Sequence, residues 1–360
     1  MTLQAVILVG GQGTRLRPLT ATRPKPMMPL FDRPMVAHQI DHLVRYGVRE
    51  VVFSCGYRPD ALEAHFGDGS AFGVRLRYVV DPKPLGTAGA VANALPAFDH
   101  LDDVLVLNGD ILTDLDLEEF QAAHVASNAA ATIALTPVED PSAYGLVRLR
   151  EDRSVDAFLE KPGPEQLIPG EPFLINAGTY LLSHDVIGMI PVGVACSIER
   201  EIFPRVADDR RLYGYPSDVY WRDIGTPQSY LDAHRDMLQG AVPTAHVAGE
   251  AYIGPGAVVE DGARISERSC ISAGCTVGTG AAVVGSVLGA RTTIGADAVI
   301  EGCVLGEGVE VGAGARLSGL VVIGDKARIG AGVVIDGPAV VEVDEVRVAA
   351  GVVSGEKGSQ

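Results

Sequence analysis

An aliphatic residue recurs at every sixth position through the last third of the chain, and few patterns restrict a fold so tightly. Ile253, Val259, Ile265, Ile271, Val277 and Val283 keep the interval. After a five-residue step it resumes at Leu288, Ile294 and Ile300, and after another at Leu305, Val311, Leu317, Ile323, Ile329 and Ile335. Gly and Ala fill many positions between. A fixed six-residue period with small residues at the corners predicts a parallel β-helix, in which each coil buries one aliphatic stack. A disordered glycine-rich tail would not hold fifteen aliphatic residues in that register. From about Asp336 the period lapses, which predicts a cap or a loose tail.

The residues before it follow a different grammar. Apolar runs at Ala5–Val9, Val51–Ser54, Val74–Val80, Val104–Leu107 and Ala131–Thr136 alternate with helical patterns. Helices are predicted over Met35–Tyr46, after Pro84–Gly89, from an Asp116/Glu119 capping box through Ala126, and over Pro227–Leu238. Short strands at Leu146–Leu149, Ala157–Glu160 and Gly178–Leu182, with a helix near Ile198–Val206, suggest a lobe for a second substrate. Such alternation predicts an α/β fold: a Rossmann-like, mostly parallel sheet covered on both faces, with ligands at the carboxyl ends of its strands. Residues 1–240 are expected to form this catalytic domain, residues 241–360 the β-helix, and Gly240–Gly249 the linker.

With a formal charge of -17 and a pI near 4.8, the chain is ill suited to nucleic acid or an anionic membrane. Its five cysteines are scattered and form no Cys-x-x-Cys pair, and no apolar run reaches the length of a membrane span. A soluble cytoplasmic protein is expected.

Against that acidic background, Gly10–Leu30 contains Arg15, Arg17, Arg23 and Lys25 and no acidic residue. Gly10, Gly11 and Gly13 let the backbone turn and leave its N–H groups clear for a phosphate. Pro24 and Pro26 stiffen the backbone around Lys25. The string is neither a Walker A loop nor a dinucleotide fingerprint, since Leu16 stands where the third Gly would be. It reads as a polyphosphate cradle. His38 and His42 lie one helical turn apart, but Gln39 replaces the Glu of a zinc-protease motif, and a helix-surface pair is expected.

The full string, Gly-Gly-Gln-Gly-Thr-Arg-Leu followed by Pro24-Lys-Pro26, closely resembles the signature of the sugar-1-phosphate nucleotidylyltransferases. The resemblance extends along nearly the whole chain. It implies condensation of a nucleoside triphosphate with a sugar 1-phosphate, with pyrophosphate leaving. On this resemblance Arg15 and Lys25 clamp the triphosphate, and Gly10, Gly11, Gly13 and Thr14 cradle it. Asp110, in Asn-Gly-Asp, and Asp223, in Trp221-Arg-Asp-Ile-Gly-Thr226, bind Mg2+. Gly86 and Thr87 lie in the base-binding turn. Tyr144-Gly145, Glu160-Lys161 and Asn176 hold the sugar phosphate. Hexapeptide repeats of this sort wind left-handed in the families that carry them, so a left-handed parallel β-helix is implied, together with a homo-oligomer.

Within the family the spacing looks most like the enzymes that join GTP to mannose 1-phosphate. Asp81 supports guanine: a carboxylate can accept from both N1–H and the 2-amino group, whereas uracil and thymine present one N–H between two carbonyls. An Asp capping the turn before Pro82 is the competing reading. Uridylyl- and thymidylyltransferases acting on glucose 1-phosphate are the alternative. A regulatory subunit would be expected to have lost Arg15, Lys25, Asp110, Lys161 or Asp223. An acyltransferase β-helix would need a histidine base, and none follows His246.

Overall fold

The structure, a computed structural model, describes residues 3–56, 59–99, 103–168, 170, 172–242, 249–348 and, for the backbone, 351–353. Most of the expected linker lies outside the described residues. Packing divides the chain into two compact units, Met1–Gly11 with Gln39–Trp221 and Gln12–His38 with Arg222–Gln360.

The first unit is built on a nine-stranded sheet. Its strands are β1 (Gln4–Leu8), β2 (Glu50–Cys55), β3 (Arg75–Val80), β4 (Val104–Asn108), β5 (Ala131–Val138), β6 (Gly145–Leu149), β7 (Val155–Glu160), β8 (Phe173–Leu182) and β9 (Leu212–Pro216). The apolar runs of β1, β2 and β4 are buried and pair in parallel, with Val6 beside Val52 and Val106. Strands buried on both faces have no polar alternation, which is why these runs read as continuous. β3 continues the parallel half at β2. The sheet is mixed, because β8 joins β4 antiparallel and carries β6 and β7 beyond it. β5 pairs with β8 and, in parallel, with β9. The segment expected to form the second-substrate lobe is built as an extension of the same sheet. One core, including Val6, Val106, Tyr180, Ile202 and Phe203, runs through this unit.

Two local expectations change. Asp116 caps the helix Leu117–Ser127 through Glu119 N (2.9 Å), but the Glu119 carboxylate accepts from the Tyr215 hydroxyl instead of closing the box. The helix expected near Ile198–Val206 is a π-turn, Ile198–Ile202, followed by Phe203–Asp208. Pro204 has no N–H to give to the carbonyl one turn back, so a regular helix cannot run through it.

In the second unit three sheets of six, seven and five strands, parallel but for the last strand of the seven, form the left-handed β-helix. Ile271, Leu288, Leu305 and Ile323 stack in register on one of them, Val277, Ile294, Val311 and Ile329 on the next, and Val283, Ile300, Leu317 and Ile335 on the third. Glycine at corners is forced by the neighbouring coil: a Cβ on Gly312 would lie 2.4 Å from Ala331 N, and one on Gly324 2.6 Å from Val343 N. The first coil departs from the expected stack. Ile253 and Val259 are exposed, since among the described residues their strands pair with a coil on one side only. The C-terminal end departs too, because Ala339–Val341 and Val346–Val348 continue the coils past Asp336 and Gly351–Val353 turns back antiparallel. Val341, six residues past Ile335, pairs with Ile323, and Arg347, six further on, pairs with Ile329, so the count runs on and the aliphatic residue is lost only at Arg347.

Candidate active site

In the second unit Gly13 turns the chain at φ 61° into the 3-10 turn Thr14–Leu16, and Thr20 Oγ1 donates to Gly13 O (2.8 Å) to close the loop. A Cβ on Gly13 would meet Lys25 Cβ at 3.0 Å. Lys25 opens a second 3-10 turn, Lys25–Met27, and is only 7% exposed, an unusual place for an ammonium. Leu16 and Leu19 anchor the loop inside. Arg15 and Thr14 stay at the surface.

Asp223 comes to the same place from the far end of the chain. Its carboxylate lies 4.0 Å from the Arg15 guanidinium and 3.9 Å from Lys25 Nζ. Arg222, beside it, donates to Asp236 (2.7 Å), and Thr226 caps the helix Pro227–Leu238, so the backbone on both sides of Asp223 is fixed. Gly225 completes the arrangement. A Cβ there would stand 2.8 Å from the Arg15 guanidinium and 3.0 Å from Asp223 Oδ1. Gly225 lies within the Trp221–Thr226 motif, but its letter alone does not reveal the close approach to Arg15. Arg23, expected in the cradle, is directed elsewhere, to Glu307 and Asp325.

The first unit holds the remaining candidates. Gly10 and Gly56 follow β1 and β2 so closely that a Cβ on Gly10 would lie 2.9 Å from Gly56 N, whereas Gly11 is open. Asp110 follows β4 in a tight turn. Gly109 N donates to Leu8 O (2.9 Å), and Gln39 Nε2 donates to Asn108 O (2.9 Å) and Ile111 O (2.6 Å). Gln39 thus buttresses the turn that presents Asp110, a role with no signal in the sequence. Its neighbours are not the expected surface pair: His38 and His42 are both buried, His38 bonds Leu30 O (3.2 Å), and burial lowers the His42 pKa.

β8 runs past the end of β4 and gathers the sugar-side candidates. Glu160 pairs with Gly145, and Ile175, next to Asn176, pairs with Leu146. Asn176 donates to the buried Tyr180 hydroxyl and accepts from Gly178 N (2.9 Å each). Gly178 lies against Asn108, at 2.7 Å from a built Cβ, which places this bulge beside the Asp110 turn. Lys161, exposed and at φ 53°, is fixed by its N–H to Tyr144 O (2.9 Å). Trp221, the single tryptophan, packs edge-on to Tyr144 and donates to Ala177 O (2.8 Å), a wall that composition alone could have flagged.

At the base turn, Asp81 Oδ1 accepts from Asn93 (2.9 Å), and burial raises the Asp81 pKa against that bond. Gly86 begins the helix Gly86–Ala94, and a Cβ there would meet Cys196 O at 2.6 Å. The Thr87 hydroxyl donates to Glu199 (2.7 Å) and accepts from Ile198 N (2.9 Å). Chain packing therefore accounts for both residues locally.

Asp110 and Asp223 are hard oxygen donors of the kind magnesium takes, together with phosphate oxygens and waters. Among the described residues no group of three or more His, Cys, Asp or Glu gathers to hold a metal. All five cysteines are free and buried, and burial pushes the Cys55 thiol up to about 12. Among the described residues no helix is long and apolar enough to cross a membrane.

The nucleotidyl transferase family model matches residues 4–240, and the GMPPB C-terminal domain model matches residues 247–353. The chain is 39% identical over 294 residues to the mannose-1-phosphate guanylyltransferase of Mycobacterium tuberculosis, covering 79% of each chain. It is 37% identical to the probable mannose-1-phosphate guanylyltransferase 1 of rice, over 77% of this chain and 79% of that one. The crystal structure of HddC from Yersinia pseudotuberculosis superposes with a TM-score of 0.55 at 27% identity, over 64% of this chain and 98% of that one.

Proposed function

Because the chain belongs to the nucleotidyl transferase family, we propose that it catalyses GTP + mannose 1-phosphate to GDP-mannose and pyrophosphate. It is a sugar-1-phosphate nucleotidyltransferase. The observation that carries the reading is the Arg15–Lys25–Asp223 cluster, two cations about a carboxylate at 4.0 and 3.9 Å on a glycine-built loop.

A sugar-phosphate oxygen attacks the α-phosphorus, and the bond to the pyrophosphate oxygen breaks. Both reactants are anions, so the site must neutralise them before it can align them. Gly10, Gly11, Gly13 and Thr14 offer backbone N–H groups to the triphosphate. Arg15 and Lys25 take up the charge that grows on the leaving pyrophosphate. Lys161 holds the sugar phosphate, Glu160 and Asn176 accept and donate to sugar hydroxyls, and Gly145 leaves them room. Asp110 and Asp223 would hold a magnesium ion, which when bound neutralises phosphate oxygens. Gly86, Thr87 and Asp81 meet the nucleobase, Asp81 oriented by Asn93 and accepting from guanine with its other oxygen. Residues 1–240 act as the catalytic domain and 241–360 as the β-helix. The protein works in the cytoplasm as a homo-oligomer, for which the exposed apolar first coil, with Val258 53% exposed, offers a surface.

The test is a panel of GTP, UTP, dTTP and ATP against mannose, glucose and galactose 1-phosphates, with pyrophosphate release measured. GTP with mannose 1-phosphate should give the highest kcat/KM, and Asp81→Gln should move the preference toward UTP or dTTP by about 10-fold, the scale of one unpaired polar group. A wild type that prefers UTP or dTTP would overturn the base assignment and leave the reaction class standing.

A further inference from the structure

The basic stretch that carries Lys25 is pinned to the β-helix on both sides of Lys25. Before it, Thr22 Oγ1 and Arg23 donate to Asp325 Oδ2 at 2.5 and 2.8 Å, and Arg23 donates also to Glu307 at 2.9 Å. Asp325 is 5% exposed, and its other oxygen accepts from Glu307 N (2.8 Å). Arg291 pairs with the second oxygen of Glu307. After it, both Asp32 oxygens accept from Ala273 N (3.0 Å), and Tyr252 donates to the same carboxylate (3.1 Å). The Tyr230 hydroxyl donates to Pro29 O between the two pins.

The pins share one corner of the β-helix. Ala273, Glu307 and Asp325 each stand two residues past an inward aliphatic residue of the same sheet, Ile271, Leu305 and Ile323 respectively. Those residues are joined rung by rung through Leu288, so the outer pins are three rungs apart, about 14 Å at strand spacing. Glycine makes room at each: a Cβ on Gly306 would lie 2.5 Å from Asp325 Oδ1, and one on Gly254 2.5 Å from Asp32 Oδ2. Glu307 and Asp325 occupy equivalent positions on adjacent coils, where two carboxylates repel unless a cation lies between them. Arg23 is that cation.

We propose that this corner column, Asp325 and Glu307 above all, positions Lys25 for the triphosphate, so that the β-helix sets nucleotide affinity and turnover as well as assembly. The inference rests on the reading of Lys25 as a triphosphate ligand. Lys25 is two residues from Arg23 in a proline-stiffened turn, so a displaced Arg23 carries Lys25 with it. Displacements near 1 Å at a phosphate-transfer site cost up to about 100-fold in rate.

The experiment compares the full-length Asp325→Ala, Arg23→Ala, Arg23→Lys, the Asp325→Ala/Arg23→Ala pair and Lys25→Ala in steady-state kinetics with both substrates, alongside thermal melts. Asp325→Ala should lower kcat/KM for GTP about 10–100-fold while KM for mannose 1-phosphate stays within twofold. The double variant should be no worse than the worse single one, and Arg23→Lys should retain most of the activity. Glu307→Gln, at a half-buried position, should show the same split in smaller measure and guards against a folding failure of Asp325→Ala. Unchanged GTP kinetics in Asp325→Ala with an inactive Lys25→Ala would refute the tether alone. Equal losses for both substrates would also refute it by reducing Asp325 to a stabilising residue. Full turnover in Lys25→Ala would instead overturn the functional reading beneath it.

Discussion

Gly225→Ala separates the catalytic cluster from the fold that carries it. The added methyl would stand 2.8 Å from the Arg15 guanidinium. Ordinary contact begins near 3.5 Å, so that group must retreat by about 0.7 Å. It can do so cheaply, because the Arg15 side chain is 66% exposed. Gly225 is itself buried, but the group its methyl meets first can swing into solvent, so the melting temperature should fall only slightly. The proposed clamp on the triphosphate is another matter. A hydrogen bond to a charged group contributes about 1.5–3 kcal/mol, and every 1.36 kcal/mol is tenfold, so kcat/KM for GTP should fall about 10–150-fold.

The assay is initial-rate pyrophosphate release for wild type, Gly225→Ala, Arg15→Ala and the double variant. If the methyl acts by displacing Arg15, it should add less than about threefold to Arg15→Ala, the remainder reflecting its 3.0 Å approach to Asp223 Oδ1. Fully additive losses would refute the claim that Gly225 works through Arg15. A fully active Gly225→Ala would remove the Arg15 geometry from the mechanism altogether.

Other outcomes follow from the same geometry. Asp110→Asn and Asp223→Asn should each lower turnover by orders of magnitude with the circular-dichroism spectrum intact, and near-normal rates in both would strike the carboxylate pair from the mechanism. Lys161→Ala should raise KM for sugar 1-phosphate far more than KM for GTP, and the reverse pattern would move Lys161 to the nucleotide side. His234, fully buried against Phe31 and Tyr230, has its pKa lowered by burial from 6.5 to about 4. The folded state thus resists a proton that the unfolded chain accepts, so stability is complete above pH 6.5 and is lost as pH falls toward 4. Urea melts at pH 7.5 and 4.5 should differ by roughly 2–3 kcal/mol from this residue, and a His234→Gln variant with an undiminished difference would show that the ring is not the cause.

How far the sequence speaks depends on whether a feature is local. The β-helix was legible because its geometry is a short repeat: each inward position announces itself six residues after the last, whatever the rest of the chain does. β1, β2 and β4 were legible as apolar runs because both faces of that part of the sheet are covered. Where a property depends on distant chain, reading stops. Gln39 looks like the failed centre of a zinc motif until Asn108 and Ile111 are seen to need its amide. His38 and His42 look amphipathic on their own helix and are buried only because the fold covers both. The C-terminal coils persist past Asp336 because Val341 and Arg347 keep the six-residue count, and the aliphatic residue is lost only at Arg347.

Arg15, Arg23 and Lys25 show the same division inside a single motif. As letters they form one basic stretch, and in an acidic chain such a stretch invites a single explanation. The structure gives them different neighbours. Arg23 is neutralised in place by Asp325 and Glu307 at hydrogen-bond distance, so its charge is committed to the architecture. Arg15 and Lys25 face a carboxylate at 4.0 and 3.9 Å, near enough for Coulomb attraction and beyond a hydrogen bond to it. A phosphate oxygen arriving at 2.8 Å would bind more strongly than Asp223 does at that separation, since charge-assisted bonds strengthen as they shorten. On the proposed function, Asp223 would turn to a cation that accompanies the phosphates. On the same proposal, the cluster therefore keeps its positive charges together at modest cost until a triphosphate takes the closer place, while the arginine beside them is fixed to hold the loop still.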